Sequence, residues 1–335
     1  MSDLRVGVVG VGVMGADHAE RIVRKTAGAR LVAVSDPDLA RAEDLGSRLD
    51  ARVVADPLEL IASNEVDAVI LASPGFAHAE QLFACLEHGK PVLCEKPLTT
   101  DSGSSLEVVR REAELGTPLI QVGFMRRFDP EYQQLKALID GGELGQPLVM
   151  HCTHRNPTVP PSFDSAMIVK DSLVHEVDVT RFLLGEEIAS VQIIKPMPNP
   201  GAPRGLQDPQ IAIFQTVSGR HVDVEVFVTT GVAYEVRTEV VGELGSATIG
   251  LDVGLVRKSA PGTWGGQITP GFRERFGTAY DIEVQRWVDA ARSGVNVDGP
   301  TAWDGYAAAA VCEAGVRSLE TGERVDVELA EKVGV

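Results

Sequence analysis

A chain of 335 residues exceeds what one hydrophobic core ordinarily serves, so two domains are expected, and 44% hydrophobic with 24% charged residues is the composition of a globular enzyme. A formal net charge of −17, with the basic residues scattered along the chain, repels a phosphate backbone and argues against nucleic acid as a partner. No apolar run approaches the roughly eighteen residues of a membrane span, and the first strand begins too early to leave room for a secretory leader, so a cytoplasmic protein with no membrane role is expected.

From Leu4 to Gly123, short apolar runs alternate with longer amphipathic segments. The runs Arg5–Val9, Leu31–Ser35, Asp67–Ala72, Pro91–Cys94 and Pro118–Val122 predict strands buried on both faces. Segments of helical length begin near Met14, Asp38, Pro57, His78 and Ser102, which makes a βαβ series and hence a doubly wound parallel sheet. After Gly123 the pattern changes. A helix over Pro130–Asp140, a strand over Pro147–Thr153 and a helix over Asp171–Leu184 lead into alternating runs at Val191–Ile194, Ile211–Val217, His221–Val228, Tyr234–Val241 and Ala247–Leu251. Strands that follow one another without helices between them predict a largely antiparallel sheet, with the proline-rich stretch Pro196–Pro209 as a loop. Helices over Tyr280–Arg292 and Ala302–Glu320 close the chain. The expected division is a dinucleotide-binding α/β domain over residues 1–123 and an α+β domain for substrate and assembly over 124–335.

Gly10-Val11-Gly12-Val13-Met14-Gly15 has the GxGxxG spacing between an apolar strand and a helical segment, the context in which backbone amides cradle a pyrophosphate. Gly10 suits the tight turn, Gly12 the close approach of the phosphates, Gly15 the packing of helix on strand, and the amides of Val13 and Met14 open the helix. Asp36 ends the second strand about twenty residues on, where a carboxylate accepts hydrogen bonds from the adenosine ribose and repels a 2′-phosphate, so NAD is favoured over NADP. An alternative reading has Asp36 serving the start of the helix near Asp38. The cysteines Cys85, Cys94, Cys152 and Cys312 form no CxxC pair and are read as packed thiols, with no metal expected.

Glu95-Lys96-Pro97 follows the strand ending at Cys94, at the carboxyl edge of the sheet where ligands of open α/β folds bind. Here the chain resembles, over almost its whole length, the family of glucose-fructose oxidoreductase, inositol dehydrogenase and their relatives. That resemblance implies that Lys96 contacts both nicotinamide ribose and substrate, that Glu95 belongs to the cofactor site, and that Pro97 shapes the turn, often through a cis bond. Asp171-Ser172-Leu173-Val174-His175-Glu176-Val177-Asp178 looks like the family's proton-handling segment, with Asp171, His175 and Asp178 on one helical face. The stretches around Arg126 and Arg127, around His154 and Asn156, and at Tyr234 look like segments that line an inositol pocket. The resemblance thus implies substrate contacts by Lys96, Arg126, His154, Asn156, Asp171, His175, Asp178 and Tyr234. Ser73-Pro74-Gly75-Phe76-Ala77-His78 departs from the Thr-Pro-Asn form common in the wider family, and cofactor contacts by Ser73 and His78 are expected there.

The function so implied is NAD-dependent oxidation of myo-inositol at a ring hydroxyl to 2-keto-myo-inositol, with His175 as base, Asp171 orienting it and Lys96 stabilising the alkoxide. The alternatives are another cyclic polyol or pyranose (scyllo-inositol, D-chiro-inositol or glucose), an NAD-using glycosidase, and an NAD-binding sensor. The resemblance also implies a homotetramer.

Overall fold

The computed structural model describes residues 2–232, 234–250, 269–294 and 297–332. The chain separates into two compact units, residues 1–125 with 279–310 and 329–335, and residues 126–278 with 311–328.

The first unit is a six-stranded parallel sheet flanked by helices. In chain order it runs β1 Leu4–Val9, α1 Val13–Arg24, β2 Ala29–Ser35, α2 Leu39–Leu49, β3 Arg52–Val53, α3 Pro57–Ala62, β4 Ala68–Leu71, α4 Gly75–Glu87, β5 Val92–Glu95, α5 Ser102–Leu115 and β6 Ile120–Gly123. The strand order β3-β2-β1-β4-β5-β6 is that of the doubly wound dinucleotide fold, with its switch point between β1 and β4. β4 and β5 are buried at every position, as continuous Val, Leu and Ile runs require when helices cover both faces. Two-residue β3 has no apolar run to announce it and is visible only through its pairing with β2.

The second unit begins within a 3₁₀ turn, Met125–Phe128, and continues with α6 Pro130–Asp140 and β7 Pro147–Arg155. The short α7 Ser165–Met167 runs into a π-helical turn, Ile168–Leu173, and on into α8 Val174–Leu184. β8 Ile188–Ile194, β9 Gln210–Thr216, β10 His221–Phe227, β11 Glu235–Gly242 and β12 Ser246–Ile249 follow. With β13 Val325–Asp326 they form a sheet of order β12-β11-β7-β10-β9-β8-β13, antiparallel except between β7 and β10. The alternation of buried and half-buried residues along β9, β10 and β11 is the signature of a sheet with one core face and one open face. On the open face Arg155 pairs with Glu225 on β10 and Glu235 on β11.

The last two helices, α9 Phe272–Ser293 and α10 Ala302–Thr321, each contribute residues to both units. α9 starts eight residues before the expected Tyr280, with a kink at Phe276. The single boundary expected at 123/124 differs from the observed division. α9 carries Val284, Trp287 and Val288 into the core of the first unit, beside Ile22, Val34, Ile70 and Leu93, so its buried face rather than its sequence position decides where it belongs. The expected strand at Ala247–Leu251 is β12 up to Ile249, and Leu251 lies outside the described residues. Among the described residues no helix is long and apolar enough to cross a membrane.

Candidate active site

In the first unit the glycine loop joins β1 to α1, and each glycine is required for a different reason. Gly10 has φ +81°, and a Cβ there would sit 2.4 Å from the Ser73 amide nitrogen. At Gly15 a Cβ would sit 1.7 Å from the Gly10 carbonyl oxygen, so only glycine lets α1 lie against the loop. A Cβ at Gly12 would meet nothing within 4 Å. Packing does not explain that glycine, whereas a phosphate approaching the backbone does. Gly12 caps α1 with no side-chain hydrogen bond, which suits an anion at the positive end of the helix.

Asp36 is buried at the end of β2 and its carboxylate already holds the loop. Oδ2 accepts the Val11 amide at 2.7 Å and Oδ1 the Asp38 amide at 2.9 Å. A carboxylate has about four lone-pair positions, so ribose hydroxyls can still be accepted beside these two bonds. The cap of α2 itself is Asp38, which accepts from the Arg41 amide. Glycines, helix end and carboxylate together fit a dinucleotide.

The Glu95-Lys96-Pro97 segment leaves β5 through a cis Lys96–Pro97 bond. Glu95 is clamped from two sides, with Oε1 2.8 Å from Nε2 of buried His18 on α1 and Oε2 accepting the Lys96 amide at 3.3 Å. His18 was not singled out in the sequence, where nothing ties it to a residue seventy-seven positions away. Lys96 is half-buried. Ser73 and His78 are turned toward the protein. Ser73 Oγ donates to Gln81 at 2.6 Å, and the two ring nitrogens of His78 lie 2.8 Å from the carbonyl oxygens of Pro97 and Ser73. Neither nitrogen of His78 is left for a cofactor, so its part is to tie the β4 and β5 turns together.

In the second unit a polar cluster lies among apolar residues. His154 is on the core face of β7, in register with Val226 of β10 and Val236 of β11. Arg126 and Glu176 are each 1% exposed, and Arg126 Nη1 donates a hydrogen bond to Glu176 Oε1. His154 Nδ1 lies 3.0 Å from Glu176 Oε2 and 3.3 Å from Arg126 Nη2. Burial is the largest influence on Glu176 and pushes its carboxyl up, but Arg126 and then His154 hold it below the usual carboxylate range. Tyr234, hydrogen-bonded to Arg126, is pushed up chiefly by burial, and its ring meets that of His154 edge-on at 5.9 Å. The rings of His154 and His175 are 6.3 Å apart.

Arg126, His154, His175 and Tyr234 are thus brought together in one cluster. Asp178, expected to meet substrate, is buried and held by Arg127, with Nε at 3.0 Å and Nη2 at 2.6 Å from Oδ1. Asn156 follows β7; its carbonyl oxygen accepts the Thr230 amide, and its buried Oδ1 has no hydrogen-bond partner among the described residues, an acceptor suited to a hydroxyl. The continuous α-helix expected over Asp171–Leu184 is corrected by the structure. Asp171 is exposed within the π turn, and His175 is buried in the first turn of α8. Such single π turns recur at functional sites because the extra residue re-aims side chains. Glu176, which joins Arg126 to His154, was read only as part of its motif; an acidic residue that follows a histidine in a helix carries no signal of a partner on another strand.

Residues 4–124 match the family described as oxidoreductase family, NAD-binding Rossmann fold, and residues 136–327 its C-terminal alpha/beta domain. An inositol 2-dehydrogenase of Mycolicibacterium vanbaalenii is 72% identical over 99% of this chain and 97% of its own. That of Rhodococcus erythropolis is 69% identical over 99% and 98%. Among solved structures, myo-inositol dehydrogenase from Lactobacillus casei in complex with NAD(H) and myo-inositol superposes with a TM-score of 0.92, at 36% identity and 98% coverage of both chains. The scyllo-inositol dehydrogenase of the same organism gives 0.89 at 26% identity, covering 97% of this chain and 99% of that one.

Proposed function

Because the chain belongs to this family of NAD-binding Rossmann oxidoreductases, we propose that it oxidises myo-inositol with NAD to 2-keto-myo-inositol, a step of inositol catabolism. The observation that carries this reading is the match, over 98% of both chains, to an enzyme solved with NAD(H) and myo-inositol. Relatives at 72% and 69% identity that carry the name inositol 2-dehydrogenase favour an inositol ring over a pyranose.

NAD supplies the hydride acceptor. His175 accepts the proton of the reacting hydroxyl, since an alkoxide gives up hydride far more readily than an alcohol, and Asp171 is assigned its orientation. Lys96 stabilises the negative charge that develops on the oxygen. Arg126, His154, Asn156 and Tyr234 offer the donors and acceptors that a ring bearing a hydroxyl on every carbon requires, while Asp178 acts through Arg127. Asp36 sets the preference for NAD, and since it also holds Val11, Asp36→Ser weakens the loop as well as the ribose contact.

The finer parts of the reading are a cytoplasmic homotetramer. Among the described residues the four cysteines are buried and form no disulfide, which suits a reducing compartment. The open face of the second sheet, with half-buried Ile211, Ile213 and Phe227, offers a surface for subunit contact, and light scattering at the mass of four chains tests it.

The functional test is NADH formation with myo-, scyllo- and D-chiro-inositol and glucose, using NAD and NADP in turn. The highest kcat/KM is expected for myo-inositol with NAD. A preference for another ring or for NADP overturns the corresponding part, and hydrolysis of an added aryl glycoside with no net NADH points instead to a glycosidase.

A further inference from the structure

The position of Glu176 has a chemical consequence for His154. The histidine's Nδ1 faces a carboxylate oxygen at 3.0 Å and a guanidinium nitrogen at 3.3 Å. A carboxylate only accepts and a guanidinium only donates, so one ring nitrogen cannot satisfy both. The carboxylate is the nearer, and the guanidinium is already engaged by Glu176 and Tyr234, so the Nδ1 position carries the proton. In a neutral ring Nε2 then holds a lone pair, and among the described residues it has no hydrogen bond from the protein.

We propose that Glu176 is a positioning residue that, by accepting the Nδ1 proton, holds His154 in the tautomer whose Nε2 accepts, so that the substrate must present a donating hydroxyl to His154. Arg126 completes the device by balancing the carboxylate's charge within the core. The proposal rests on the polyol reading for its substrate, and it turns a general need for polar contacts into a directional demand. At one ring position the substrate gives a hydrogen bond, and an atom that can only accept does not fit there.

Two experiments test it. The first reads the tautomer in the wild-type enzyme with NAD bound, by nitrogen-15 histidine labelling and ring-nitrogen to carbon-bound-proton correlation, with the His154 signals assigned by their loss in His154→Gln. A protonated Nδ1 and a bare Nε2 are expected at neutral pH, and a protonated Nε2 overturns the proposal. This reading needs neither turnover nor a variant at Glu176, so it stands apart from the functional assay, in which failure to oxidise myo-inositol would sink the polyol reading instead. The second uses deoxyfluoro-inositols, in which fluorine replaces one hydroxyl and cannot donate. One position is expected to lose at least about tenfold in kcat/KM with wild type, and that loss is expected to shrink to within about threefold in Glu176→Gln and in His154→Gln, whose amides can donate. If no position shows a loss relieved in either folded variant, Glu176 does not set the direction of this hydrogen bond. Native-like circular dichroism and NAD affinity identify the folded variants.

Discussion

The two units present polar groups in opposite ways. In the first, the cradle is made of backbone: three glycines, a helix end and a carboxylate that holds amides, with Gly12 facing open space. In the second, the polar cluster is made of side chains, and Arg126 and Glu176 are as buried as the core around them. A backbone cradle is stable without its ligand, because its amides belong to a helix end that water can reach. A buried charged cluster has no such recourse, and each member depends on the others. A side chain added at open Gly12 in the first unit should therefore cost binding without stability, while a charge removed from the buried cluster of the second should cost stability.

The largest effect expected on this comparison is catalytic. His175→Ala and Lys96→Met should each lower kcat with myo-inositol by roughly 10²- to 10⁴-fold while the protein stays folded, the range for a positioned acid-base or charge-stabilising group. Near wild-type turnover by either purified variant removes that residue from the mechanism.

Arg126→Met should come next. It leaves Glu176 uncompensated in the core, and chemical denaturation should report a loss of about 3–5 kcal/mol. A loss below about 1 kcal/mol would mean that the cluster is no more than a surface-like ion pair.

The glycine pair sharpens the contrast. Gly12→Ala should leave stability within about 0.5 kcal/mol of wild type, since its Cβ meets nothing within 4 Å, yet weaken NAD binding. Gly15→Ala should do both, because its Cβ would sit 1.7 Å from a carbonyl oxygen that must move. Titration calorimetry with NAD, set beside melting curves, separates the two, and equal destabilisation by both variants would contradict the division of roles.

The smallest effect concerns pH. The Glu176 carboxyl is held below its usual range, so its contribution to stability is complete above the unfolded-state value near about 4.3 and is lost as pH falls through the lower folded-state value. Unfolding free energy measured against pH should fall less steeply for Glu176→Gln than for wild type in the acid window below about pH 4. Parallel curves would mean that Glu176 titrates as it does in the unfolded chain.

What the sequence determined by itself was everything carried by local spacing and period. The GxGxxG loop between strand and helix, Asp36 at the end of β2, the Glu95-Lys96-Pro97 turn after β5 and the alternation along β9, β10 and β11 are all written within a few residues, because backbone geometry and burial pattern repeat locally. The tertiary structure alone decided which side chains meet across long separations. Glu176 takes Arg126 from fifty residues away and His154 from twenty-two, and His18 reaches Glu95 across seventy-seven. The return of α9 to the first core and the π turn before His175 were likewise decided there, by Trp287 finding a buried place and by the fit of one extra residue in a helical turn. A hydrogen bond between distant segments leaves no period in the chain; it exists only once the sheet has brought β7 beside α8 and made burial of each charge conditional on its partner.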